Sequence, residues 1–115
     1  MTATYNMTIR QGATFTRVFT RKDGNGDPID LTGFTAHLQM RKHVDSATPF
    51  VELTSEDNGG ITLGGAAGTI ALNISAEDTS NIVINSGVYD LKLISEDEVI
   101  RVLEGSITVS KQVTV

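Results

Sequence analysis

Four stretches of this chain alternate apolar and polar side chains with a period of two, and that alternation limits the possible folds more than any other feature. Phe34, Ala36, Leu38 and Met40 alternate with Thr35, His37, Gln39 and Arg41. Ile70, Leu72 and Ile74 alternate with Ala71, Asn73 and Ser75; Tyr89, Leu91 and Leu93 make a third row, Ile107 and Val109 a fourth. Successive side chains of a strand point to opposite faces, whereas a helix repeats every 3.6 residues, so the rows predict strands with one buried and one wet face. Phe15 and Phe19 share a face of a further strand, from about residue 13 to 21. Abundant threonine agrees, because β-branched side chains fit a pleated, half-buried surface.

The gaps between rows carry turn chemistry. Asp23-Gly24-Asn25-Gly26-Asp27-Pro28 combines residues that tolerate positive φ with a proline that cannot donate to a ladder. Asn58-Gly59-Gly60 separates a strand at 50–54 from one at 61–63, and Gly64-Gly65-Ala66-Ala67-Gly68 turns the latter back into 69–74 as a hairpin. Glu96-Asp97-Glu98 is the tip of another hairpin, between 87–94 and 99–103. One helix start is legible: Ser75-Ala76-Glu77-Asp78 has the Ser-x-x-Asp form of a capping box. The β-branched and polar residues from Thr79 to Asn85 are weak helix formers, so one short helical turn near 76–84 is expected. Eight or nine short strands with turn signals every 8–12 residues predict an all-β sandwich or barrel. No composition shift divides the chain, which reads as a single domain over 1–115.

Composition then narrows the function. The absence of cysteine removes disulfide scaffolds, cysteine nucleophiles and thiolate metal sites. A net charge of −5 and a pI near 4.8 argue against nucleic acid as a partner, since phosphate neutralisation needs clustered Lys and Arg. No apolar run approaches the ~20 residues of a membrane-spanning helix, and no signal peptide is evident, so no membrane partner is expected. The charge is uneven: six basic against seven acidic residues through Asp57, three against seven beyond it.

Residues with chemical potential have simpler roles at each place. Asp23-x-Asn25-x-Asp27 imitates a calcium loop, but Pro28 stands where the sharp-turn glycine belongs and Phe34 where the bidentate glutamate belongs, leaving a solvated hairpin tip. The glycines between Gly59 and Gly68 lack the Lys-Ser/Thr ending and the following helix of a phosphate loop. His37 falls on an outward row as a solvated histidine, and no nucleophile-elbow or zinc-protease motif occurs. Glu96-Asp97-Glu98 is a hydrated turn, and Arg41-Lys42-His43 a solvated basic cluster able to meet an acidic surface. No catalytic residue, cofactor or metal ligand is expected. The chain ends differ, since residues 4–9 and 106–115 read as strands running almost to the termini and such strands need pairing. The candidate partner contacts are therefore Thr4, Tyr5, Met7 and Ile9 at one end, Gln112, Val113 and Val115 at the other, and Asp45, Thr48 and Pro49 in a loop.

Two stretches carry a family resemblance. Ile9-Arg10-Gln11-Gly12-Ala13-Thr14-Phe15 is followed by Lys22-Asp23-Gly24-Asn25-Gly26-Asp27-Pro28-Ile29-Asp30-Leu31-Thr32-Gly33-Phe34-Thr35-Ala36; later come Gly60-Ile61-Thr62-Leu63-Gly64-Gly65, Gly68-Thr69-Ile70, Gly87-Val88-Tyr89-Asp90-Leu91 and Val102-Leu103-Glu104-Gly105. The chain resembles the small immunoglobulin-like virion proteins of tailed bacteriophages, and its first stretch is similar to the N-terminal domain of phage baseplate upper proteins. The resemblance implies an immunoglobulin-like antiparallel β-sandwich and a non-enzymatic structural subunit of the virion, assembled in the host cytoplasm. Its place would be the tail, neck, baseplate or a fibre-attachment adaptor, its partners other virion proteins and further copies of itself. Capsid decoration or a carbohydrate- or cell-surface-binding module is the alternative. Tyr89, after a short helical turn, resembles a tyrosine corner whose phenol pins the preceding connection. The larger baseplate proteins continue into stalk and receptor-binding regions, and a chain stopping at Val115 is expected to be an adaptor or decorating subunit instead.

Overall fold

The structure is a computed structural model and describes residues 3–113. Its strands are β1 (Ala3–Thr4), β2 (Met7–Arg10), β3 (Phe15–Thr20), β4 (Thr35–Arg41), β5 (Val51–Thr54), β6 (Ile61–Leu63), β7 (Thr69–Ile74), β8 (Ser86–Ile94) and β9 (Val99–Ser110), with one helix, α1 (Ala76–Ser80), between β7 and β8. The larger sheet has the order β1-β9-β8-β4-β5, with β2 also on β9; the smaller is β3-β7-β6. The chain crosses between sheets at β2–β3, β3–β4, β5–β6 and β7–α1–β8. Of the all-β sandwich or barrel expected from the alternation and turn spacing, the structure is a sandwich.

The four apolar rows face one another across the sheets. Ala36, Leu38 and Met40, Ile70, Leu72 and Ile74, Tyr89, Leu91 and Leu93, and Ile107 and Val109 are all buried in one cluster, with Phe34 at its margin. Leu31, in the long connection before β4, is also buried and closes one end. The Gly64–Gly68 segment forms a 3-10 turn at Gly65–Ala67 and joins β6 to β7 as a hairpin. Asp23 Oδ1 accepts from the N–H groups of Asn25 and Asp27, so that carboxylate organises its own turn.

Several local expectations differ from the structure. The sandwich is not wholly antiparallel: Ala3 and Thr4 pair in parallel with Leu103 and Glu104, and Met7–Arg10 with 107–110. β3 begins at the end of the sandwich where β9 finishes, so the chain leading into β3 must run alongside β9 in the same direction. The strand expected at 4–9 is interrupted at Tyr5-Asn6, where the Asn6 side chain replaces a backbone acceptor by taking the Ser106 N–H at 3.0 Å.

Next, the segments on either side of Glu104-Gly105 are one strand, not two. The pairing of β8 with β9 shifts between Leu91 and Lys92, leaving Val102 as an extra residue. This bulge lets Val102 and Leu103 both be buried and reverses the alternation that marks a continuous strand. β9 ends at Ser110, and residues 111–113 leave the sheet. The short helical turn expected near 76–84 is α1, at Ala76–Ser80. Ser75 caps it by accepting from Asp78 N–H, but the hydroxyls of Thr79 and Ser80 both reach back to Ala76 O within its only turn.

The Tyr89 hydroxyl donates to the carbonyl of Tyr5, not to the connection preceding Tyr89. It therefore pins the interruption between β1 and β2. Gly105 makes this possible, because a Cβ there would collide with the Tyr5 carbonyl.

Candidate interaction surfaces

The residues singled out from the sequence separate into three groups. Thr4 is exposed beside β9. Tyr5 is held by its N–H to Glu104 O at 2.8 Å and packs its ring edge-on against Phe19, with centroids 5.1 Å apart. That contact closes the gap between the larger sheet and β3. Met7 and Ile9 are 3% and 0% exposed. They belong to the core, and the expectation that their side chains meet a partner is corrected: alternate residues of β2 are drawn inward, leaving Thr8 and Arg10 on the outside.

The second group lies in the connection from β4 to β5. Asp45 and Thr48 are exposed and Pro49 is half-buried. Arg41 organises this loop, donating from Nη1 to Ser46 O at 2.6 Å and from Nη2 to Gln39 Oε1 at 2.7 Å, while Ser46 Oγ accepts the His43 N–H. The basic cluster is thus partly spent on local structure.

Gln112 and Val113 form the third group, and Val115 lies outside the described residues. Gln112 has a structural task, since its N–H donates to Gln11 Oε1 at 3.1 Å while Gln11 Nε2 donates to Ile82 O at 2.8 Å. The Gly12 N–H donates to the buried Thr79 hydroxyl, whose own proton faces Ala13 O at 2.9 Å. Gly12 has φ +85°, and a Cβ there would strike the Gln112 side chain. Gln11-Gly12 accordingly joins the β2–β3 turn, α1 and the exit of β9. Val113 is 96% exposed.

Strand directions bring the second and third groups to one end of the sandwich. β4 and β9 both finish there and β8 starts there. Val44 and Val83, 84% and 82% exposed, are on connections at the same end. The opposite end carries Asp23, Asp27 and Asp30 on one connection and Glu96-Asp97-Glu98 on another. Thr32 donates to Asp30 Oδ1 from its hydroxyl and its N–H, which holds that carboxyl below the ordinary aspartate range.

The outer face of the larger sheet was not legible as a unit. Gln39 Nε2 donates to Glu52 Oε2 at 2.6 Å, and His37 Nε2 lies 2.7 Å from the same oxygen. These contacts, the Gln39 bond foremost, hold Glu52 below the ordinary glutamate range. His37 is therefore a cross-strand partner of β5 and not merely solvated. The bulge at Val102 sets Arg101 and Glu104 side by side at 3.5 Å, with Asp90 3.8 Å away. An open depression of about 480 Å³ lies over this face, between Arg41, Val88, Lys92 and Glu104. Among the described residues no three His, Asp or Glu side chains gather as a cation cage. No protein-family model matches the chain, and no curated protein matches it in sequence.

Proposed function

We propose that this chain is a non-enzymatic structural subunit of a tailed-phage virion, an adaptor of tail, neck, baseplate or fibre that assembles through sheet edges and chain ends. The observation that carries the reading is the arrangement of the flanks: among the described residues β1, β2, β3, β5 and β6 each have a strand neighbour on one side only. Unpaired backbone of this kind is a template for β-augmentation by a neighbouring chain. The exposed Val44, Val83 and Val113 at one end add apolar contacts of the kind that subunit interfaces bury.

The aromatic side chains support this reading over sugar recognition. Phe15 and Tyr89 are buried, Phe19, Phe34 and Phe50 are half-buried against the core, and the Tyr5 ring is engaged with Phe19. A stacking platform for a sugar needs a free aromatic face. In the phage that encodes the chain, deleting its coding sequence is expected to give particles that lack a discrete density in electron micrographs and lose infectivity. Particles of unchanged mass and infectivity overturn the reading.

A further inference from the structure

The smaller sheet ends abruptly at β3. Its first and last described bonds fix which backbone groups are free. Asn73 N donates to Gly60 O and Gly64 N to Thr69 O, so residues 69, 71 and 73 of β7 face β6. Residues 70, 72 and 74 then face β3, where they stand opposite Phe19, Arg17 and Phe15. The N–H and C=O groups of Thr16, Val18 and Thr20 therefore point away from the sheet. Arg17 Nη1 covers the Thr16 carbonyl at 2.7 Å; the backbone groups of Val18 and Thr20 on that side have no partner among the described residues.

β3 contains no proline, lysine or bulge; its one charge, Arg17, lies on the inner face beside Phe15 and covers only the Thr16 carbonyl, and Val18 stands 66% exposed on the outer face. The strand that precedes it in the chain pairs with β9 instead. β3 is also the longest strand with an open side, at six residues against four in β2 and β5 and three in β6.

We propose that a second copy of this chain pairs with β3, antiparallel and about a two-fold axis, to form one continuous sheet β6-β7-β3-β3-β7-β6. Charge selects the register. Two antiparallel registers overlap β3 most fully with the outward groups of both copies facing each other. One is centred on Arg17 and sets that guanidinium opposite itself, which is unfavourable. The other is centred on Val18: it pairs Val18 with Val18, Thr16 with Thr20, and Arg17 with Phe19 of the second copy. Like charges are then kept apart and the exposed valine is covered by its counterpart; Arg17 releases the Thr16 carbonyl to Thr20 N–H of the second copy and, already 4.7 Å from the centroid of the Phe15 ring, gains a second aromatic neighbour. An isologous contact of this kind closes on itself and stops at a dimer. The proposal rests on the assembly reading only in using a sheet edge, and it is tested on the isolated chain so that particle incorporation is scored separately.

Sedimentation velocity of the purified chain between about 1 µM and 1 mM is expected to show reversible dimers. Val18→Lys and Val18→Glu, each placing like charges across the axis, should weaken the dimer about tenfold or more while leaving the melting profile of the monomer in place. An equimolar mixture of the two variants should regain the lost affinity, because opposite charges then meet. Hydrogen exchange at the Val18 and Thr20 amides should slow as concentration rises. A chain that stays monomeric across this range, a dimer indifferent to Val18→Lys, or a mixture that does not recover overturns the proposal. Normal incorporation of Val18→Lys into particles, alongside lost dimerisation in solution, would leave the virion reading standing on other edges.

Discussion

β2 and β3 flank the same lateral opening of the sandwich, yet they manage their edges differently. β2 lies against β9 and sinks Met7 and Ile9 into the core, so its edge is anchored from inside. β3 has the core under Phe15 alone among its fully buried side chains and presents Thr16, Val18 and Thr20 to solvent. The segment 7–10 pairs within the larger sheet, and among the described residues no strand pairs with the free side of β3. An edge is therefore a consequence of where a neighbouring strand finds its buried anchors, not of the edge strand's own sequence.

The contrast is open to attack at four points. Ile9→Ala removes a fully buried anchor and is expected to cost about 2–5 kcal/mol in urea denaturation. A loss below about 1 kcal/mol would mean that β2 rests on β9 without being part of the core. Tyr89→Phe leaves the Tyr5 carbonyl without its donor; a loss of about 1–3 kcal/mol is expected, with faster hydrogen exchange confined to residues 3–10 and their partners on β9. Uniform acceleration across both sheets would show instead that the bond supports the whole fold. Val18→Thr, on the bare edge, should change monomer stability by no more than about 0.5 kcal/mol.

The smallest effect concerns the third edge, β5, which Glu52 ties to β4. The Glu52 pKa is lowered in the folded chain. Its contribution is therefore complete above the ordinary glutamate value of about 4.3 and fades as pH falls through the lowered one. The difference in Tm between the wild type and Glu52→Gln should be greatest near neutrality and close in acid. A difference that widened in acid would assign the wrong sign to the Gln39 and His37 contacts.

Much of this fold was written locally. Ala36, Leu38 and Met40 or Ile70, Leu72 and Ile74 announce their buried face because a strand with one wet side has no other way to arrange them. Ser75 announces its cap because the acceptor and the orphan N–H groups are three residues apart. What the residues did not announce depends on partners about 100 positions away. Met7 and Ile9 looked like a free terminal strand because their groove is made by β9, and no local pattern shows whether such a strand joins one sheet or the other. The strands read at 99–103 and 106–115 are one, joined through a bulge at Val102 that no local pattern announces. The proposed pairing edge was the least legible part. The emptiness beside β3 is a property of topology, and Val18 by itself is only one more β-branched residue in a strand.

The pairing of residues 7–10 with 107–110 has a consequence for the nascent chain. At roughly 5–20 residues per second, about 5–20 s separate synthesis of that segment from synthesis of its partner. Throughout that interval Met7 and Ile9 have no groove to enter, and the ribosome holds a chain whose larger sheet lacks its final closure. Docking of β2 therefore waits on the synthesis of β9, and a stop before residue 107 would leave Met7 and Ile9 without their partners.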